Sequence, residues 1–418
     1  MNQPLRILAL GPQHVFPPVD GGKEGIFGAI AAVARQAQLT YAFPTLVPQG
    51  DPTLEGYAKA GVRAIPVPFE PVETIGLVVR ATASLRPYKF EKYGGAAAAR
   101  AFDRALPNEQ FDAILCHNAH TVQLAERLSR MRGWKLPMIL REHNIEYEIV
   151  TSYRMSLSPL AKVAALPFEW LTIREEQSTW RRADCVAFLS DHDLEHARAT
   201  GVPGRFVLAR EGTPQPARRH PGHPGRDAPL LVLLNPRAAQ SVVNLRDFVR
   251  DYWLPLRDAS APALQGIELH VTGVTSEQLA TLIAQPAARL ASAGVKGLGF
   301  IPDLATVFAT GLALVSPTFV GGGVRKKLLE ALANELPAIA TPLDLDTCNF
   351  YEAGRNILRM TDSASFADAV ALLRDNPARW QALSASGRDT IDEYASWDGY
   401  ADVIVESFRS LLAGRHDR

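Results

Sequence analysis

The sequence predicts an α/β protein made of two parallel-sheet halves, and three observations carry that prediction. Short apolar runs alternate with longer helix-like segments along most of the chain. The alternation breaks once, over residues 206–228, where Pro, Gly, Arg and His crowd together, and then restarts. The length of 418 residues is too great for one hydrophobic core but suits two of about 200 residues each.

In the first half, residues 1–205, the expected buried strands are RILAL (6–10), LTYAFPT (39–45), AILCH (113–117), PMILRE (137–142) and CVAFLS (185–190). Helices are expected between them, at 24–37 and 120–132 among others. The second half, residues 229–395, repeats the scheme with LLVLL (230–234), IELHVTG (267–273), VKGLGF (295–300), LALVSP (312–317) and PAIAT (337–341). A helix is expected at 276–293, and the two halves join near residue 215. A last amphipathic helix falls in 396–418. Strands alternating with crossover helices pair in parallel, and ligands of such sheets bind outside the carboxyl ends of the strands.

Bulk properties narrow the partners. Lys plus Arg and Asp plus Glu both number 44, so no global charge draws the chain to nucleic acid, and any basic site is local. Cys116, Cys185 and Cys348 are scattered and make neither a CxxC pair nor a metal spacing. No DxD pair stands at a convincing strand end, LDLD at 343–346 being the nearest, and no metal is expected. The N-terminus reads as a strand rather than a leader, and no apolar run is long enough to span a bilayer. The expected place is the cytoplasm, with peripheral contact at the inner membrane left open.

One loop carries the chemistry. In PTFVGGGVRKKLLEALANELPAIAT (317–341), Gly321, Gly322 and Gly323 run into Arg325, Lys326 and Lys327 at the expected start of a helix, 324–334. Cations there oppose the helix dipole, at a cost of about 0.3–1 kcal/mol each. A helix N-terminus at the carboxyl edge of a sheet offers free amides to an anion, and Arg325 and Lys327 add side-chain charge. Glu330, one turn on, can accept from two neighbouring hydroxyls such as those of a ribose. Diphosphate plus ribose describes a nucleotide diphosphate. The segment is not a P-loop, because Leu328 follows the lysines, nor a dinucleotide fingerprint, because the last glycine of GxGxxG is missing.

The segment resembles the donor-binding stretch of retaining, family-4-type glycosyltransferases with the GT-B fold, in the branch reading G-x-G-x-R-x-K-x-x-E. Gly321, Gly323, Arg325, Lys327, Glu330, Ala331, Ala333, Pro337 and Thr341 match in register. A commoner branch carries a first Glu where this chain has Gly322, so donor-sugar identity stays open. The resemblance implies two Rossmann-like domains facing across a cleft. It implies a nucleotide-diphospho sugar as donor, a glycan, lipid-linked or small-molecule hydroxyl as acceptor, and no cofactor. It makes His143 the residue that positions the donor sugar, with Asn144 and Glu146 beside it. Arg237 would meet the diphosphate and Phe300 the base. Gly21 and Gly22 would open a helix toward the substrates. His117 and His120 are further, weaker strand-end candidates, Asp184 and Ser190 are structural, and Asp191 is a cap. The product would enter glycan or surface-polysaccharide synthesis. Alternatives are a nucleotide-sugar epimerase and a non-catalytic scaffold on the same fold, the latter favoured by the absent Glu.

Overall fold

The computed structural model describes residues 4–48, 50–71, 85–155, 158–214 and 220–416. It divides into two compact units: Met1–Gly212 with Gly322–Val324 and Trp397–Arg418, and Thr213–Gly321 with Arg325–Ser396. The junction expected near residue 215 lies outside the described residues.

The first unit holds a seven-stranded sheet of β1 (Arg6–Leu10), β2 (Gln38–Thr45), β3 (Val62–Pro68), β4 (Ala113–His117), β5 (Met138–Glu142), β6 (Cys185–Phe188) and β7 (Phe206–Leu208). Its order is β3-β2-β1-β4-β5-β6-β7, and every pairing is parallel. RILAL forms the centre because every second side chain has a core to enter. Ile7 and Ala9 pack with Ile26, Ile30 and Val33 of α1 (Gly21–Ala34), while Leu8 and Leu10 pack on the other face with Phe102, Val122 and Leu128.

Helix α2 (Ala119–Arg132) follows β4, and α3 (Glu146–Met155) follows β5. Then come α4 (Pro159–Ala164), α5 (Leu166–Arg182) and α6 (Asp191–Ala199). The cap of α6 is Ser190, whose hydroxyl accepts from the Asp193 amide, not Asp191 as the sequence suggested; Asp191 is instead paired with Arg210 at 2.7 Å. Asp184 is structural, accepting from the Met138 amide at 2.8 Å.

The second unit holds β8 (Leu230–Leu233), β9 (Leu269–Thr272), β10 (Val274–Thr275), β11 (Val295–Gly299), β12 (Ala313–Ser316), β13 (Ala338–Ala340) and β14 (Leu358–Arg359), in the order β10-β11-β9-β8-β12-β13-β14. The sheet is parallel except for the short antiparallel β10–β11 pair. Helix α7 (Ala239–Phe248) follows β8, and α8 (Lys326–Ala333) lies between β12 and β13. The chain closes in α9 (Trp397–His416), whose Tyr400, Ile404, Val405 and Phe408 enter the first unit's core beside α1. There Gly28 gives way to a ring: a Cβ on it would lie 2.2 Å from the Trp397 indole.

Four strands escaped the sequence reading. β3 contains Pro66 and Pro68 and survives as an edge strand, where missing amides are tolerated. β7 lies inside the stretch whose composition reads as linker, and β10 and β14 have two residues each. The helix expected at 276–293 is broken into Ser276–Leu282 and Ala287–Ser292, because Pro286 cannot continue it.

Beneath β5 and α5 lie two buried carboxyls. Glu142 accepts from the Trp180 indole at 3.0 Å, and Glu176 accepts from the amides of Glu146 and Tyr147 at 2.7 and 3.0 Å. Burial pushes Glu142 up to about 8, the Trp180 hydrogen bond acting against it and the charges of Glu146 and Asp193 adding to it; burial and the Glu142 charge push Glu176 up as well, against its two amide hydrogen bonds. A raised folded-state value means that the folded chain keeps a proton the unfolded chain releases. The contribution of Glu142 is therefore full below about 4.5 and lost as pH rises toward 8, at up to about 1.4 kcal/mol per pH unit. Glu142→Gln is expected to flatten that slope in urea unfolding between pH 5 and 8; an unchanged slope would place the proton elsewhere.

Candidate active-site residues

The part of the loop after β12 that belongs to the second unit is fixed by Asn244 and Thr341. Asn244 of α7, buried, accepts from the amides of Phe319 and Val320 at 3.0 Å each and donates to the Val320 carbonyl at 3.0 Å. Thr341, after β13, donates to the Thr318 carbonyl at 2.6 Å. Gly321 and Gly323 have φ of 126° and 78°, which only glycine adopts without strain.

Arg325 corrects the sequence picture. It precedes the helix rather than sitting in its first turn, with φ −87° and ψ 80°. Its Nε lies 2.9 Å from Oδ1 of Asp344, which is fully buried, and Nη2 donates to the Gly321 carbonyl at 3.2 Å. The charge that would have opposed the dipole is thus met by a carboxylate. Asp344 belongs to the LDLD stretch discounted as a metal pair; it sits on the short helix Pro342–Leu345 and is further held by Thr341 Oγ1 at 3.3 Å. Asp344 and Asn244 are the site residues that sequence reasoning missed. A polar residue one strand away from a glycine loop gives no local motif.

Lys327 is half-buried in the first turn of α8. Burial holds its amine below the ordinary lysine value, Asp344 acts against that, and Arg325 adds to it. Arg325, at the N-cap of α8, makes no side-chain cap hydrogen bond, whereas Asp20 caps α1 by accepting from the Lys23 amide at 2.9 Å, just before Gly21 and Gly22. Glu330 is half-buried one turn into α8. Arg237 is exposed on the loop after β8, the strand paired with β12. Phe300 is 69% exposed after β11, so it is no part of the core, and β9 and β8 separate its strand from β12.

In the first unit a polar cluster gathers at the carboxyl ends of β4 and β5. Arg141, fully buried, places Nη1 2.5 Å from His143 Nε2 and 3.0 Å from Nδ1, and donates through Nη2 to Glu211 at 3.2 Å and to the Gly25 carbonyl at 3.3 Å. Its guanidinium lies over the Tyr400 ring at 5.5 Å. A guanidinium only donates, so the His143 nitrogen facing it must be an acceptor, and the ring orientation is set by Arg141. His117, also fully buried, lies 5.9 Å from His143 between ring centres, and neither of its ring nitrogens has a hydrogen-bond partner among the described residues. Burial and the Arg141 charge keep it neutral. Asn118, next in the chain, has φ of 74°, a strained conformation that asparagine tolerates better than most residues.

Two first-unit candidates have other employment. His120 is buried against the Tyr93 ring, 4.5 Å between centres, and burial, aided by Lys89, lowers it to about 3. Glu146 pairs with Lys89 Nζ at 3.0 Å. Asn144 is half-buried beside His143.

Among the described residues, Glu148, His192 and His196 form a group with metal-ligating chemistry, their donor atoms within 4.8 Å of one another. Glu148 Oε1 lies 2.8 Å from His196 Nδ1 and 3.4 Å from His192 Nε2, which already makes a carboxylate–imidazole cluster without an ion. The sequence showed only two histidines four apart; the glutamate comes from another helix.

A family description, glycosyl transferase 4-like domain, matches residues 29–212, and a second, glycosyl transferases group 1, matches residues 242–376. No curated protein matches the chain by sequence. Among solved structures, a sucrose-phosphate synthase from Thermosynechococcus elongatus superposes with TM-score 0.70 at 17% identity, covering 98% of this chain and 100% of that one. Anabaena HepE in complex with UDP and glucose gives 0.61 at 14% identity over 97% and 100%. A point mutant of S. aureus TarM, in complex with Fondaparinux, alpha-GlcNAc-glycerol and UDP, gives 0.68 at 9% over 97% and 100%. These likenesses show the two-sheet GT-B fold. With both halves matched in the expected order, the chain belongs to the family-4-like, group 1 glycosyltransferases.

Proposed function

We propose that this glycosyltransferase transfers a hexosyl group from a nucleotide-diphospho sugar to an acceptor hydroxyl, with retention at the anomeric carbon and without a metal, in glycan or surface-polysaccharide synthesis. The observation that supports the reading most is the β12–α8 loop: two glycines at positive φ, a helix whose N-cap residue makes no side-chain cap hydrogen bond, and Arg325 and Lys327 beside it. The UDP in the HepE and TarM complexes supports a nucleotide donor for this chain as well.

As the bond from the anomeric carbon to the phosphate oxygen breaks, the electron pair stays with the leaving diphosphate. Donors aimed at that growing charge stabilise the transition state. Arg325 and Lys327 supply charge, α8 supplies amides, and Arg237 is a third cation for the phosphates. Glu330 accepts from the ribose hydroxyls and Phe300 lies by the base. The acceptor hydroxyl oxygen attacks the face that the diphosphate leaves, and its proton passes to the departing phosphate oxygen. In the first unit, His143 positions a substrate hydroxyl, held at a fixed angle by Arg141, with Asn144, Gly21 and Gly22 lining the same unit's substrate surface.

The test is Lys327→Met. Its side chain is half-buried and its charge is disfavoured by burial, so the fold should lose nothing in thermal unfolding. Affinity for UDP, GDP or ADP in titration calorimetry should fall by about 1–3 kcal/mol, the range for charge-assisted hydrogen bonds. Release of nucleotide from the matching sugar donor should fall with it and should persist in EDTA. Wild-type affinity in the variant would remove the donor loop from the reading.

A further inference from the structure

Helix α5 is built inside out. Its buried positions are polar, namely Glu169, Thr172, Glu175, Glu176 and Thr179 ahead of Trp180, while Leu166, Phe168 and Trp170 at its start face outward. The preceding α4 adds Leu160, 87% exposed, and Val163, and the end of α3 adds Met155. Seven of the thirteen exposed large apolar side chains among the described residues fall between positions 153 and 170, so this is a concentration rather than ordinary scatter. The three helices pack on one another, so these side chains stand on neighbouring turns of the first unit.

The exposed charges on α4 and α5 have one sign. Every acid between residues 151 and 182 is turned inward and engaged. Glu169 holds Arg154 and Thr151, Glu175 is held by Arg86 at 3.5 Å and Arg182 at 3.2 Å, and Glu176 accepts from two amides. Arg174 and Arg181 face solvent, Lys162 is half-exposed, and the Arg174 guanidinium lies over the Trp170 ring at 5.5 Å. Apolar side chains standing out from the helices, a tryptophan at their edge, and exposed cations with no exposed carboxylate among the described residues of 151–182 match the layered chemistry of an anionic bilayer surface.

We propose that α4 and the first turns of α5 form a docking face for an anionic phospholipid surface. Leu160, Val163, Leu166 and Trp170 enter the headgroup layer, and Lys162, Arg174 and Arg181 meet lipid phosphate, with Leu166, Trp170, Arg174 and Arg181 on one face of α5 at helical spacing. The proposal stands on this surface alone and is independent of the donor loop.

The full chain is incubated with vesicles of phosphatidylcholine, alone or mixed with phosphatidylglycerol, and sedimented. Wild type is expected to sediment with the mixed vesicles, less with the neutral ones, and to be released by raised salt. The double variant Leu160→Ser/Trp170→Ser is expected to stay in the supernatant with an unchanged melting temperature, and Arg174→Glu to bind about tenfold more weakly. Should the double variant fold poorly, Arg174→Glu and the salt series on wild type decide. The proposal is overturned if wild type ignores phosphatidylglycerol or if the variants sediment as wild type does. It is equally overturned if light scattering shows wild type as a dimer that the double variant dissociates and that binds no vesicles, since the occupant is then a second copy of the chain.

Discussion

Asp344→Ala is expected to destabilise the second unit by about 3–5 kcal/mol, the range for stripping one partner from a buried ion pair. Asp344 is fully buried, and Arg325, 12% exposed at its side chain, would keep a charge with no carboxylate at 2.9 Å. Asp344→Asn should cost less, because the amide oxygen still accepts from Nε. Replacing both residues by alanine should cost less than the sum of the two single changes, as coupled partners do. Urea unfolding of the four proteins checks this. Additive losses would mean that the pair is incidental. Arg325→Ala alone should also lose stability, contrary to what the bare sequence implies for a cation at a helix start. For that reason Lys327, not Arg325, is the clean probe of donor binding.

Arg141→Met should cost a similar amount, about 3–5 kcal/mol, in the first unit. The change leaves Glu211, 6% exposed, without the guanidinium 3.2 Å away, and releases the His143 ring. Arg141→Lys should recover only part of it: an ammonium is one point charge and cannot hold Glu211, the Gly25 carbonyl and His143 as a planar fork does. If lysine restores both stability and nucleotide release fully, Arg141 does no positioning.

The fold was legible where apolar runs are long and buried on both faces, as at RILAL and AILCH. It was illegible where pairing alone makes a strand, as in proline-bearing Val62–Pro68, whose edge position excuses what its composition forbids. The glycine–cation loop could be located because its glycines, cations and helix lie within one short stretch. Its supports could not, since Asn244 reaches the loop from 75 residues away and Asp344 reaches Arg325 from the next strand's end. Arg141 was hidden differently. It reads as one polar letter inside the strand PMILRE, and only the fold shows that three groups converge on it.

The route of the chain sets an order of events at the ribosome. The first unit's core needs Tyr400, Ile404, Val405 and Phe408, yet about 180 residues of the second unit are synthesised before them. At about 5–20 residues per second, the early sheet waits for roughly 10–40 s with the apolar side of β1 and α1 uncovered. The late-arriving helix is thus a closing wedge, and a nascent chain cut short before it should be a client of chaperones even though most of its sheet has been made.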